Sequence, residues 1–122
     1  MASSQTSIIA EGIRALQRES KPGVISWVTF EDGGGEHWFQ YSSDGSLNFD
    51  WPFAKEPDSS FELAFLTPLV SWTRTGWDID TSATYQVTNR HVDTIARVID
   101  AVFCRLYELP PNYNVSWKLE ST

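Results

Sequence analysis

The feature that most constrains this chain is a pair of alternating runs joined by Asp44-Gly45. In the run Glu36 to Ser42, His37, Phe39 and Tyr41 share one side, and Trp38 and Gln40 the other. In the next run Leu47, Phe49 and Trp51 alternate with Asn48 and Asp50, and Pro52 ends it. A period of two places successive side chains on opposite faces of a strand. Ser43-Asp44-Gly45-Ser46 between the runs favours a tight hairpin, because glycine takes a positive φ without steric cost.

The segments on either side extend this core. Val24 to Phe30 reads as a strand with Val24, Ser26, Val28 and Phe30 on one face and Ile25, Trp27 and Thr29 on the other. Both faces are fairly apolar, which predicts a central position. Glu31-Asp32-Gly33-Gly34-Gly35 then forms a flexible connection. Thr84 to Val87 and Val115 to Leu119 read as further strands, the latter with Ser116, Lys118 and Glu120 on its polar side.

Helical spacing appears at both ends. Ser7 to Ser20 predicts a helix with Ile9, Ile13 and Leu16 inward, Ser7 as cap, and Pro22-Gly23 beyond its end. Val92, Ile95, Ala96, Ile99, Val102, Phe103 and Leu106 form one apolar stripe of a long helix, capped by Asn89 and stopped by Pro110-Pro111. Asp93 and Arg97 stand at i,i+4 on its wet side. Between Pro52 and Thr84, Phe53 to Ser60 reads as a loop, and Phe61 to Leu66 as a short strand or the lead-in to a helix. Thr67-Pro68 predicts a short helix to Thr75, with Leu69 and Trp72 inward and Gly76 as stop. The expectation is a single α+β domain, an antiparallel sheet covered on one face by an N-terminal helix and a long C-terminal helix.

Composition narrows the function classes. A chain of 122 residues with 41% hydrophobic and 20% charged residues can bury a core, so disorder over most of its length is excluded. One cysteine, Cys104, excludes a disulfide scaffold and a paired-cysteine zinc site. The longest apolar stretches are too short to span a bilayer. The opening Met1-Ala2-Ser3-Ser4-Gln5-Thr6 lacks the basic and apolar regions of a secretory signal. A cytoplasmic protein without membrane attachment is expected. The net charge of −7 falls within the segment Glu31 to Glu62, where Glu31, Asp32, Glu36, Asp44, Asp50, Glu56, Asp58 and Glu62 face only Lys55. Such a stretch repels nucleic acid backbones and could steer a basic partner; it also suits hairpin turns and a solvated face.

No catalytic constellation emerges. His91 and Cys104 lie on one predicted helix about 20 Å apart along its axis, too far for a nucleophile–base pair. Cys104 borders the apolar stripe and reads as a buried spacer; His91 reads as a surface residue. Asp78-Ile79-Asp80 offers two carboxylates, fewer oxygens than most hard cations require. Gly33-Gly34-Gly35 lacks the lysine and helix start of a phosphate loop. The expectation is a chain that is not an enzyme and has no cofactor and no metal site.

The aromatic load is what remains. Six tryptophans, four tyrosines and seven phenylalanines make 14% of the chain. Trp27 and Trp38 lie out of phase with Val28, Phe30, Phe39 and Tyr41, so both sheet faces carry large aromatics. With helices for one face only, part of the other either stays open as a partner surface or is covered by a second copy in a homodimer or by the loop from Phe53.

This layout resembles the type III secretion chaperone-like/YbjN-like peptide-binding domains of bacteria. The likeness rests on the N-terminal helix, the meander with Trp38-Phe39-Gln40-Tyr41, Leu69-x-x-Trp72-x-x-x-Gly76-Trp77, and the amphipathic run Val92 to Tyr107. It covers about Ile8 to Leu109. The resemblance implies a fold that binds segments of other proteins without catalysis. Trp27, Trp38, Gln40 and Trp51 are the candidate contacts, with Glu31, Asp32 and Glu36 as an acidic rim. The rival reading is a small acidic inhibitor or immunity protein that blocks a basic enzyme through the acids from Glu31 to Glu62 instead of the aromatics.

Overall fold

The computed structural model describes residues 4–54, 72–88 and 91–121. Their elements are α1 (Ser4–Glu19), β1 (Ser26–Asp32), β2 (Trp38–Ser42), β3 (Ser46–Asp50), β4 (Trp72–Asp78), β5 (Ser82–Val87), α2 (Val92–Ala101) with a π-helical extension (Val102–Leu106), and β6 (Val115–Ser121). Among the described residues the fold is α+β, with a six-stranded antiparallel sheet in the order β4-β5-β3-β2-β1-β6 and two helices.

The centre of the sheet follows the alternation. β1 pairs with β2 through Val28↔Tyr41 and Phe30↔Phe39, and β2 with β3 through Phe39↔Phe49 and Tyr41↔Leu47. These residues are buried; of the alternate positions, Trp27, Gln40 and Asn48 are only partly so, while Thr29 between them is buried. The β2–β3 hairpin closes with the Gly45 N–H donating to the Ser42 carbonyl at 3.0 Å, and Gly45 sits at φ +89°. The Ser46 N–H donates to Asp44 Oδ1 at 3.0 Å, so the aspartate stabilises the turn as an acceptor.

The buried strand residues and the apolar sides of both helices belong to one cluster, which includes Ile9, Ile13 and Leu16 of α1, Ile95, Val98 and Ile99 of α2, Phe30, Phe39 and Phe49 of the sheet, and Trp51 just beyond β3. α1 lies close against β1 and β6 at Gly12. A Cβ there would stand 2.8 Å from Phe30 Cε1 and 3.0 Å from Trp117 Cγ, so only glycine lets the helix lie this near the sheet. α1 begins at Ser4, ahead of the cap predicted at Ser7.

The short helix predicted to run to Thr75 does not extend there. Trp72 to Asp78 form strand β4, paired with β5 from Trp72↔Val87 to Asp78↔Ser82. Gly76 is no helix stop; it borders a bulge where the register shifts between Arg74 and Gly76. Phe61 to Leu66 and the Thr67-Pro68 start lie outside the described residues. The long helix begins at Val92 with His91 as N-cap, making no side-chain cap bond; Asn89, the predicted cap, is outside the described residues. The helix widens at its end. The Tyr107 N–H reaches back five residues to the Val102 carbonyl at 3.1 Å, ahead of Pro110-Pro111.

Candidate functional site

Opposite in phase to the buried rows runs a polar row across the sheet. The strand pairing aligns Thr84, Asn48, Gln40, Thr29 and Lys118 from β5 to β6. Its side chains interlock: Thr84 Oγ1 donates to Asn48 Oδ1 at 3.0 Å, Gln40 Nε2 to Thr29 Oγ1 at 3.3 Å, and Thr29 Oγ1 to Glu120 Oε1 at 3.1 Å. Such a row fixes the side chains that border it, because each partner is held by its neighbour.

Two of the candidate contacts flank this row. Trp27 pairs with Ser42 and Glu120, and Trp38 pairs with Glu31, so the indoles stand at opposite ends of the Thr29–Gln40 pair. Both are half-buried, as is Gln40 between them. Trp51 does not join them. It is 0% exposed in the core and meets the Phe53 ring edge-on at 4.8 Å. The alternation explains this, since Trp51 shares the phase of Leu47 and Phe49. Its indole cannot touch a partner on the surface of the fold.

The acids cluster beside Trp38. Glu31 and Asp32 end β1 and are partly exposed, and Glu36 is exposed in the turn that follows. Asp32 shapes that turn. Its Oδ1 accepts the His37 N–H at 3.1 Å, and its carbonyl accepts the Gly35 N–H at 3.0 Å. A small cleft of about 110 Å³, lined by Thr29, Glu31, Ser116, Trp117 and Lys118, adjoins the same edge.

The residues weighed for chemistry are not brought together. Asp78 ends β4, while Asp80 lies in the following turn at φ +55°. Among the described residues no group of three or more His, Cys, Asp or Glu side chains is placed to hold a metal ion. His91 caps α2, and Cys104 lies in the π-helical turn beyond it. Burial, with the Asp100 charge and hydrogen bond beside it, raises the Cys104 thiol to about 11. Native Cys104 should therefore label slowly with a thiol reagent at neutral pH, because only the thiolate reacts well. Its rate should keep climbing after that of the unfolded chain, whose thiol has the ordinary value of 9.0, has levelled off. A native rate equal to the unfolded one would show an unburied thiol.

One arrangement was not foreseen from the sequence. His37 Nδ1 lies 3.0 Å from Asp50 Oδ2, and the imidazole stacks on the Tyr107 ring at 4.2 Å and 4°. The Tyr107 hydroxyl donates to the Asp50 carbonyl. Burial, reinforced by the Asp50 charge, pushes the phenol far above its usual range and keeps it a neutral donor. An imidazole held at Nδ1 by a carboxylate is also the geometry of a general-base pair. Here its described contacts join the start of β2, the end of β3 and the end of the long helix, which is the work of a clamp. The signal in the sequence was weak, since His37, Asp50 and Tyr107 are far apart along the chain.

None of the known protein families, curated proteins or solved structures compared with this chain matches it.

Proposed function

We propose that the chain is a non-enzymatic protein-binding module of chaperone or adaptor type. In this reading both helices lie on one side of the sheet, and the other side takes a segment of a partner protein between Trp27 and Trp38, over Gln40. The observation that carries it is the uneven burial of the two phases. Phe39, Leu47 and Phe49 are 0% exposed, whereas Trp38, Gln40 and Asn48 alternate with them on the same strands and remain partly exposed. Large indoles left partly in water beside fixed amides and hydroxyls suit a partner that offers both apolar side chains and peptide groups.

The resemblance to bacterial type III secretion chaperone-like and YbjN-like domains belongs to this proposal, as does a cytoplasmic setting. No helix among the described residues is long and apolar enough to cross a membrane. The acidic cluster of Glu31, Asp32 and Glu36 gives the rival reading, an inhibitor or immunity protein, its own surface.

Selection of peptides from a random display library against the folded chain, followed by affinity measurement, tests both. Trp38→Ala should weaken the selected peptides about tenfold or more, as loss of an aromatic anchor does. Exchange of Glu31, Asp32 and Glu36 for glutamine should mainly slow association and flatten its salt dependence. Binding abolished by the acid exchange and untouched by Trp38→Ala would favour the inhibitor.

A further inference from the structure

Among the described residues the two edges of the sheet differ in character. At one end β4 carries the register shift between Arg74 and Gly76, and bulges of this kind bend an edge away from further pairing. At the other end β6 pairs with β1 in unbroken register from Ser26↔Ser121 to Asp32↔Val115. Its sequence, Val-Ser-Trp-Lys-Leu-Glu-Ser, holds no proline and no glycine. Among the described residues it has a neighbouring strand on one side only. The backbone groups on its other side form a regular template on which a strand can add.

The charge pattern of β6 says which strand fits. Lys118 and Glu120 lie two residues apart on the polar side of the sheet, 64% and 40% exposed. When a strand pairs antiparallel with a copy of itself about Leu119, Lys118 falls opposite the partner's Glu120, and Glu120 opposite the partner's Lys118. The neighbouring registers that keep the faces in phase set Lys118 against Lys118, or Glu120 against Glu120. Opposite charges directly across a strand pair stabilise it and like charges destabilise it. The sequence is thus self-complementary in one register and repelled from the two beside it. On the other side of the strand, Trp117 and Leu119 are only half-buried where they pack against the core, leaving apolar surface for a second copy to cover.

We propose that the chain forms a two-fold dimer through β6, joined edge to edge about Leu119 so that the sheet continues from one copy into the other. The join is isologous, so each residue contact occurs twice. It leaves Trp27, Trp38 and Gln40 uncovered and does not depend on the function proposed above.

Sedimentation equilibrium over a range of protein concentrations tests it. The wild type should be dimeric. Lys118→Glu should raise the dimer dissociation constant about tenfold or more, because the reversal replaces two attractive pairs by two repulsive ones. The double variant K118E/E120K should restore association, since the exchanged charges face each other again. Lys118 is largely solvent-exposed, so a thermal melt of the dilute variant should match that of the dilute wild type. Independently, hydrogen exchange at the β6 amides of the wild type should slow as protein concentration rises. A wild type that stays monomeric, a dimer indifferent to Lys118→Glu, or β6 exchange independent of concentration would each overturn the proposal. Binding of extended peptides at β6 by a monomeric chain would identify a different occupant and overturn it too.

Discussion

Trp51→Ala is expected to destabilise the protein by about 3–5 kcal/mol, the range for truncating a large buried aromatic. Trp51 is 0% exposed, and its ring packs edge-on against Phe53 at 4.8 Å. Its backbone N–H donates to the Thr81 carbonyl at 3.2 Å, which fixes the chain beneath the ring and limits its collapse into the cavity. Trp38→Ala on the other phase should cost about 1 kcal/mol, because a half-exposed ring loses less burial and leaves a gap open to water. Urea denaturation of the two variants checks the contrast. Equal losses would mean that the two tryptophans do not differ in environment and would remove the basis for assigning Trp38 to a binding face.

Phe103→Ala should have an effect of similar size, about 3–5 kcal/mol. Phe103 is 0% exposed and stands between two tyrosines, stacked on Tyr113 at 5.4 Å and edge-on to Tyr107 at 5.7 Å. Both hydroxyls are anchored, Tyr107 to the Asp50 carbonyl and Tyr113 to Asp100 Oδ1 at 2.9 Å. Removing the ring between them loosens the widened helix end together with the His37–Asp50 clamp. Thermal or chemical unfolding gives the loss directly. A variant that melts like the wild type would show that the π-helical turn does not pack as described.

What the sequence revealed and what it hid have physical reasons. The hairpin at Asp44-Gly45 and the faces of β1, β2 and β3 were legible because a period of two, a positive-φ turn and a buried face all specify one register. The apolar stripe from Val92 to Leu106 was legible for the corresponding helical reason, although its widened end was not, since a π turn has no residue signature of its own. β4 is not legible in the sequence because Trp72, Thr73, Thr75 and Trp77 follow a Thr-Pro pair that suggests a helix start. What decides their conformation is pairing with β5, a tertiary contact that overrides local preference. The β-branched and aromatic residues of that segment, followed by the Ile79-Asp80 turn, were the signal that could have corrected it.

The candidate surface was legible in the same uneven way. Trp27, Trp38 and Gln40 follow from phase. Trp51 departs from them, because its phase puts it inward with Phe49. The polar row Thr84–Asn48–Gln40–Thr29 could not be read in advance, because it depends on which strands become neighbours, and β5 joins β3 only after the chain has passed through β4.

The central claim is that one phase of the sheet builds the core while the other stays available to a partner. Solvent paramagnetic relaxation of the tryptophan indole N–H signals tests it most directly. A neutral soluble relaxation agent should broaden the Trp27 and Trp38 signals strongly and leave the Trp51 signal sharp. Protection of Trp27 and Trp38 to the same degree as Trp51 would show that their face is covered, and would contradict the account.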